Sequence, residues 1–128
     1  MRIGITILSL LIALLTAVAK STPSRVPSSG EASWYGEAHR GKLMANGKKF
    51  DPNKLTAASW FYPLGAKVKV VHRVPGKPAR SVLVTITDRG PARELVRDGR
   101  IIDLTHAAFK RLGNPDVGLI PVVLKRVQ

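Results

Sequence analysis

Two runs near the middle of the chain alternate apolar and polar residues with a period of two. "AKVKVVHRV", Ala66 to Val74, sets valine against lysine. "RSVLVTITD", Arg80 to Asp88, places Val82, Val84 and Ile86 on one face and Leu83, Thr85 and Thr87 on the other. Successive strand side chains point to opposite faces, and β-branched residues fit a pleated, half-buried surface. Both runs are therefore expected to be strands with one face in a core. Pro75, Gly76, Lys77 and Pro78 lie between them and predict the turn of a hairpin.

The rest of the chain adds short elements around that hairpin. Ala32 to Tyr35 reads as a short strand bounded by Gly30 and Gly36. "LIPVVLKRV", Leu119 to Val127, reads as a final strand, with Pro121 at its start or on an edge because proline cannot donate to a ladder. One helix is expected. Asp103 or Thr105 caps its start, Ala107, Ala108, Phe109 and Leu112 supply its apolar face, and Gly113 ends it. Short strands, Gly/Pro turns and one helix suggest a small closed barrel. The pattern alone does not say which barrel.

The N-terminus is read separately. Met1-Arg2 is a short basic start, Ile3 to Ala19 is mostly apolar, and Ala17-Val18-Ala19 is a small-x-small cleavage signal. Residues 1–19 are therefore expected to be a secretory signal peptide, the alternative being an uncleaved anchor. Residues 20–30, "KSTPSRVPSSG", are rich in Ser and Pro and read as a flexible linker. The folded domain is then 31–128, a size that can fold alone. Export implies a periplasmic or extracellular protein of the cell envelope. The chain has no cysteine, which excludes disulfides, thiolate metal sites and a lipid-modified cysteine, so a lipoprotein is not expected. The formal charge of +13 becomes +12 without the leader, whose single charged residue is Arg2. A surface this basic points to an anionic partner: nucleic acid, an anionic membrane or an acidic wall polymer. The export signal favours the envelope and argues against nucleic acid.

Seven motifs then occur in one order: "GEASWYG" (Gly30 to Gly36), "ANGKKFD" (Ala45 to Asp51), "LTAAS" (Leu55 to Ser59), "PLGAKVKV" (Pro63 to Val70), "ITDRGP" (Ile86 to Pro91), "RIIDLTHAAFKRLG" (Arg100 to Gly113) and "GLIPVVL" (Gly118 to Leu124). Together they resemble the RlpA-like family, over Gly30 to about Arg126. The resemblance implies a mainly β fold, a six-stranded double-psi beta-barrel with one or two short helices. It implies lytic transglycosylase activity on peptidoglycan glycan strands, often strands stripped of stem peptides. Such a reaction needs a carboxylic acid that protonates the glycosidic oxygen and then, as a base, takes the proton of the muramic acid 6-hydroxyl as a 1,6-anhydro ring closes. One acid with a raised pKa can suffice, so the two separated carboxylates of a hydrolase are not required. No cofactor or metal is expected, and the protein is expected to be a monomer.

The family pattern has Thr-Ala-Asn-Gly-Glu, then an Asp three residues on, then Thr-Ala-Ala-His, and later Asp-Arg-Gly-Pro. On this chain the Thr position holds Met44, the Glu position Lys48, the first Asp position Asp51, the His position Ser59 and the later Asp position Asp88. The resemblance thus implies Asp88 as the acid, with Asp51 as its neighbour. Asp103, in "IIDL", stands where related expansin-type barrels carry their acid. Lys48 in place of Glu reverses a charge. Lys48, Lys49 and Arg89, if they face the cleft, favour an ionised aspartate there. Ser59 in place of His can hydrogen-bond a sugar but cannot shuttle a proton. Glu31 or Glu37 can reach the cleft from the first loop instead.

Each of these residues also has a plain structural reading. Asp88 before Arg89-Gly90-Pro91 can simply shape a turn, Asp103 can be only a helix cap, and Asp51 before Pro52 is a plausible turn residue. Asn46-Gly47 reads as a tight turn, with Asn46 lining the cleft as the second option. His39, His72 and His106 have no metal-ligand spacing. Trp34 and Tyr35 are neighbours and so point to opposite faces if they lie on a strand. Tyr35 is assigned to the cleft and Trp34 to the core, and Trp60 is a second ring able to stack on a sugar. Tyr35, Asn46, Ser59, Trp60, Arg89 and Asp103 form the candidate substrate-binding set. Three functions remain in view: an exported transglycosylase, a non-catalytic barrel that binds peptidoglycan or other anionic envelope polymers, and a protein-interaction module of the envelope.

Overall fold

The computed structural model describes residues 26–128. The expected signal peptide, 1–19, and positions 20–25 of the expected linker lie outside the described residues. Six strands form a closed barrel: β1 (Ser29–Tyr35), β2 (Thr56–Ala58), β3 (Lys67–His72), β4 (Arg80–Asp88), β5 (Arg100–Thr105) and β6 (Ile120–Arg126). Two short helices, α1 (Arg93–Arg97) and α2 (His106–Lys110), bracket β5. Strands neighbour one another around the barrel in the order β1-β5-β2-β4-β3-β6. The pairs β1/β5 and β2/β4 are parallel and the other four are antiparallel. Parallel neighbours need crossover connections. Two interlocked crossovers in a small barrel are the double-psi arrangement.

The alternating runs fold as their pattern demands. Val68 and Val70 of β3 and Val82, Val84 and Ile86 of β4 are buried, while Lys67, Lys69 and Leu83 face out. Thr87 departs from this rule. It lies on the outward face of β4 yet is buried, because the segment around Met44 folds over it and its Oγ1 lies 3.3 Å from Met44 Sδ. Pro121 sits near the start of β6. It is in register with Glu31 of β1, whereas the β3 pairing reaches only Val123. Its carbonyl accepts from His72 Nδ1 at 2.7 Å.

β5 is the strand that periodicity does not reveal. Ile101, Ile102, Leu104 and Thr105 are all buried, since the strand is packed by its barrel neighbours and by both helices. A short continuous apolar run of this kind cannot be told from a helix segment by pattern. β1 begins at Ser29, inside the stretch read as linker, and Ser29 and Gly30 pair with Val123 and Val122. Gly30 is required there: a Cβ would lie 2.8 Å from Ile101 Cγ2 and 2.9 Å from the Gly99 carbonyl. Thr105, not Asp103, caps α2. Its Oγ1 accepts from the Ala108 N–H at 3.2 Å and donates to the Lys54 carbonyl at 2.6 Å. Phe109 of α2 is fully buried in the core together with Leu112.

Candidate functional site

β2 is only three residues long, but its last residue sets the site. Ala58 is the register partner of Asp88 on β4 and of Asp103 on β5. The two aspartates therefore flank one alanine, with backbones about two strand spacings, roughly 10 Å, apart. Asp103 is also in register with Ser33 of β1, whose hydroxyl donates to Asp103 Oδ1. Gly90 covers the carboxyl from above. A Cβ there would sit 3.2 Å from Asp103 Oδ2 and 3.3 Å from the Ala58 Cβ, so any larger residue would press on the carboxyl.

This setting changes the acidity of Asp103. Burial pushes its pKa above the ordinary carboxylate value, and the charge of Asp88 pushes the same way. The Ser33 hydrogen bond, Arg100 and His39 oppose the rise without cancelling it. Asp88 is held differently. Its Oδ1 accepts the backbone N–H groups of Ala45 at 2.9 Å and of Arg89 at 2.8 Å, and its carbonyl accepts from Ser59 N. It thus fastens the 44–48 turn to the end of β4 while facing the same region as Asp103.

Tyr35 completes the group. Its ring stacks on Phe50, with centroids 4.3 Å apart, and meets His39 edge-on at 5.5 Å. Its hydroxyl is buried and has no hydrogen-bond partner among the described residues. Burial, and then the charges of Asp88 and Asp103, hold the phenol well above its usual pKa, so it remains a neutral donor. Trp34 turns the other way as alternation requires. It packs on the core, and its Nε1 donates to the Pro115 carbonyl at 2.8 Å.

Several other candidates are occupied elsewhere. Ser59 is fully buried; its hydroxyl accepts from Phe61 N at 3.1 Å and points at the Ile101 carbonyl, so it presents nothing to a sugar. Arg89 Nη1 donates to the carbonyls of Ser59 and Tyr62, at 2.8 and 2.6 Å, and clamps the loop after β2. Among the described residues, Asp51 makes no hydrogen bond to Asp88 or its turn. Its Oδ1 accepts from Asn53 N at 2.9 Å and lies 3.5 Å from Arg40 Nη1. Glu37 is bound through both oxygens to Arg40, and Glu31 lies on β1 in register with Arg100 and Pro121.

The segment around Asn46 is a tight turn. Asn46 Oδ1 accepts from Lys48 N, and Gly47 takes a φ of +83° that favours glycine. Asn46 also lines a pocket of about 520 Å³ that includes Lys48, Lys49, Asp51 and Lys54. Trp60 is part-exposed. Its Nε1 donates to the Pro91 carbonyl at 2.6 Å, and the Arg93 guanidinium lies over the ring at 4.4 Å. Ser33 is the residue that sequence reasoning missed. A serine in a strand carries no signal of its own; only the parallel register of β1 with β5 gives it Asp103 as a partner.

With this geometry established, comparison with known proteins locates it. A family described as lytic transglycolase matches residues 27–124. A Synechocystis protein named probable endolytic peptidoglycan transglycosylase RlpA is 41% identical over 110 residues, 86% of this chain and 32% of that protein. The Vibrio cholerae endolytic peptidoglycan transglycosylase RlpA is 41% identical over 96 residues, 75% of this chain and 34% of that protein. The chain therefore spans about a third of the length of these relatives. Among solved structures, the Streptomyces papain inhibitor covers 81% of this chain and 98% of its own at a TM-score of 0.58 and 23% identity. A point mutant of a Clavibacter michiganensis expansin in complex with cellohexaose covers 79% and 50% at 0.56 and 18% identity. These two likenesses show the barrel fold alone. The matched family spans the whole barrel, from β1 into β6, and so includes the strands that carry Ser33, Asp88 and Asp103: the chain belongs to the RlpA-like double-psi beta-barrel family.

Proposed function

We propose that this protein is an exported peptidoglycan lytic transglycosylase of the cell envelope, with Asp103 as its general acid and Asp88 as the companion carboxylate. The observation that carries the reading is the place of Asp103, half-buried across Ala58 from Asp88, where burial raises its pKa. A general acid works best with a pKa near the operating pH, and burial is the usual way to bring a carboxyl there. The names of the relatives supply the substrate class.

The Asp103 carboxyl gives its proton to the oxygen between muramic acid C1 and glucosamine C4, and the C1–O bond breaks. The Asp88 carboxylate stabilises positive charge building at C1. The muramic acid 6-hydroxyl attacks C1, and its proton returns to Asp103. The products are a glucosamine 4-hydroxyl and a 1,6-anhydro-muramyl end, and no water is consumed. The Tyr35 hydroxyl is buried near Asp88 and Asp103, with no hydrogen-bond partner among the described residues.

A second reading is a barrel that binds glycan without cutting it. It is favoured by Lys48, which stands at the family's Glu position and lines a pocket rather than joining the carboxylates. The two readings separate in one assay. The protein is incubated with isolated peptidoglycan and the digest is examined by mass spectrometry. New 1,6-anhydro ends support the enzyme. Sedimentation with the wall and no new ends supports the binding barrel and overturns the proposal.

A further inference from the structure

Among the described residues, one buried side-chain polar atom lacks a hydrogen-bond partner: the Tyr35 hydroxyl oxygen. A buried donor left unpaired costs stability, so a fold that keeps one calls for a physical account. The ring is held in place, stacked on Phe50 at 4.3 Å and edge-on to His39 at 5.5 Å. Tyr35 stands two residues beyond Ser33 on β1, so both side chains leave the same face of the strand. Across the parallel pairing, β5 sets Asp103 opposite Ser33 and Thr105 opposite Tyr35. The Ser33 hydroxyl already donates to Asp103 Oδ1, while Asp103 Oδ2 accepts no hydrogen bond among the described residues. After burial, the charges of Asp88 and Asp103 act on the phenol and hold its proton in place.

We infer that Tyr35 is a positioning residue for the general acid: its hydroxyl donates to the Asp103 carboxylate that forms as the proton leaves for the glycosidic oxygen. This role rests on the transglycosylase reading given above. In that step the Asp103 O–H bond breaks, the proton passes to the leaving sugar oxygen, and the electron pair stays on the carboxylate. Tyr35 keeps its own proton throughout and only shares it. Before transfer the hydroxyl faces a neutral carboxyl; after transfer it faces a full negative charge. The bond is therefore stronger late in the step than early, and only such interactions speed the chemistry. A donor held beside the place where charge develops is already organised for that charge. Asp88 is the poorer target. It is the stabilising carboxylate, charged throughout the step, and its Oδ1 already accepts from Ala45 N and Arg89 N. Of the other charged groups around Asp103, Arg100 and His39 favour its ionised form and Asp88 opposes it. Removing a neutral phenol oxygen changes none of these.

The test is Tyr35→Phe, which keeps the ring on Phe50 and deletes only the oxygen. The Asp103 carboxyl carbon is titrated by NMR in the variant and in wild type, a readout that needs no catalysis. Loss of one hydrogen bond to a charged group predicts a midpoint about one to two pH units higher in the variant. On isolated peptidoglycan, kcat for anhydro-end formation is expected to fall about tenfold to a hundredfold, with KM unchanged because the hydroxyl is buried. The alkaline limb of kcat/KM moves to higher pH. The Tm of the variant matches or exceeds that of wild type, since an unpaired buried hydroxyl has been removed. An unmoved Asp103 midpoint overturns the inference, and so does an Asp88 midpoint that moves in its place. A raised KM with kcat intact overturns it as well, by making Tyr35 a sugar contact. A lowered Tm with midpoint and kcat unchanged leaves Tyr35 a packing residue only. If wild type forms no anhydro ends, the transglycosylase reading falls by itself, and the NMR midpoints still decide whether Tyr35 bonds to the Asp103 carboxylate.

Discussion

Ser33 of β1 and Asp103 of β5 are register partners in a parallel pair, and the Ser33 hydroxyl donates to the Asp103 carboxyl. The bond favours the carboxylate and so restrains a pKa that burial raises. The Ser33→Ala variant is therefore expected to raise that pKa further. If Asp103 must be protonated to act, activity falls as pH rises through its pKa. The alkaline limb of the kcat/KM profile then moves to higher pH in Ser33→Ala. An unmoved limb, or one moved to lower pH, contradicts the assignment. The lost hydrogen bond costs about 1 kcal/mol of stability, which denaturant unfolding reads separately.

Asp103 also predicts a pH-dependent stability. Its folded-state pKa lies above its value in the unfolded chain. Below the unfolded value both states hold the proton and the group costs nothing. As pH rises from there through the folded value, the unfolded chain releases its proton first, and stability is lost. Asp103→Asn cannot ionise. Its Tm should match wild type in acid and exceed it at neutral pH, with the gap opening from about pH 4 upward. A gap that does not change with pH would show that the carboxyl is not held above its ordinary acidity.

Arg89 is predicted to matter for folding rather than for substrate. Its guanidinium donates to the Ser59 and Tyr62 carbonyls and so ties β4 to the loop after β2. Loss of two charge-assisted bonds in Arg89→Gln is expected to cost about 2–4 kcal/mol in urea unfolding. At a temperature where the variant is folded, KM should stay near the wild-type value. A raised KM with unchanged stability would restore Arg89 to the substrate side.

The sequence discloses the barrel unevenly, and the reasons are physical. β3, β4 and β6 each have one face in the core and one toward solvent, so Val68 and Val70, Val82 and Val84, and Val122 and Leu124 mark them by alternation. β2 is too short to show a period, and β5 is covered on both sides, so neither announces itself. The site follows the same logic. Alternation separates Trp34 from Tyr35 and points one to the core, because it needs only local geometry. The direction of Ser59 and Arg89, the isolation of Asp51 and the meeting of Ser33 with Asp103 depend on which strands become neighbours. Asp103 illustrates the limit well. Two residues before Thr105 it looks like a helix cap, and only the β1-β5-β2 order turns it into a half-buried acid beside Asp88.

The central claim is that Asp103 and Asp88 cut a glycan through an anhydro-ring product. The most direct measurement is the rate of appearance of 1,6-anhydro-muramyl ends, by mass spectrometry, for wild type, Asp103→Asn and Asp51→Asn. Loss of a general acid predicts a fall of about 10²–10⁴-fold in Asp103→Asn. Asp51→Asn, which loses a turn and an ion pair away from the carboxylates, should stay within a few-fold of wild type. Full activity in Asp103→Asn, or loss confined to Asp51→Asn, would contradict the account.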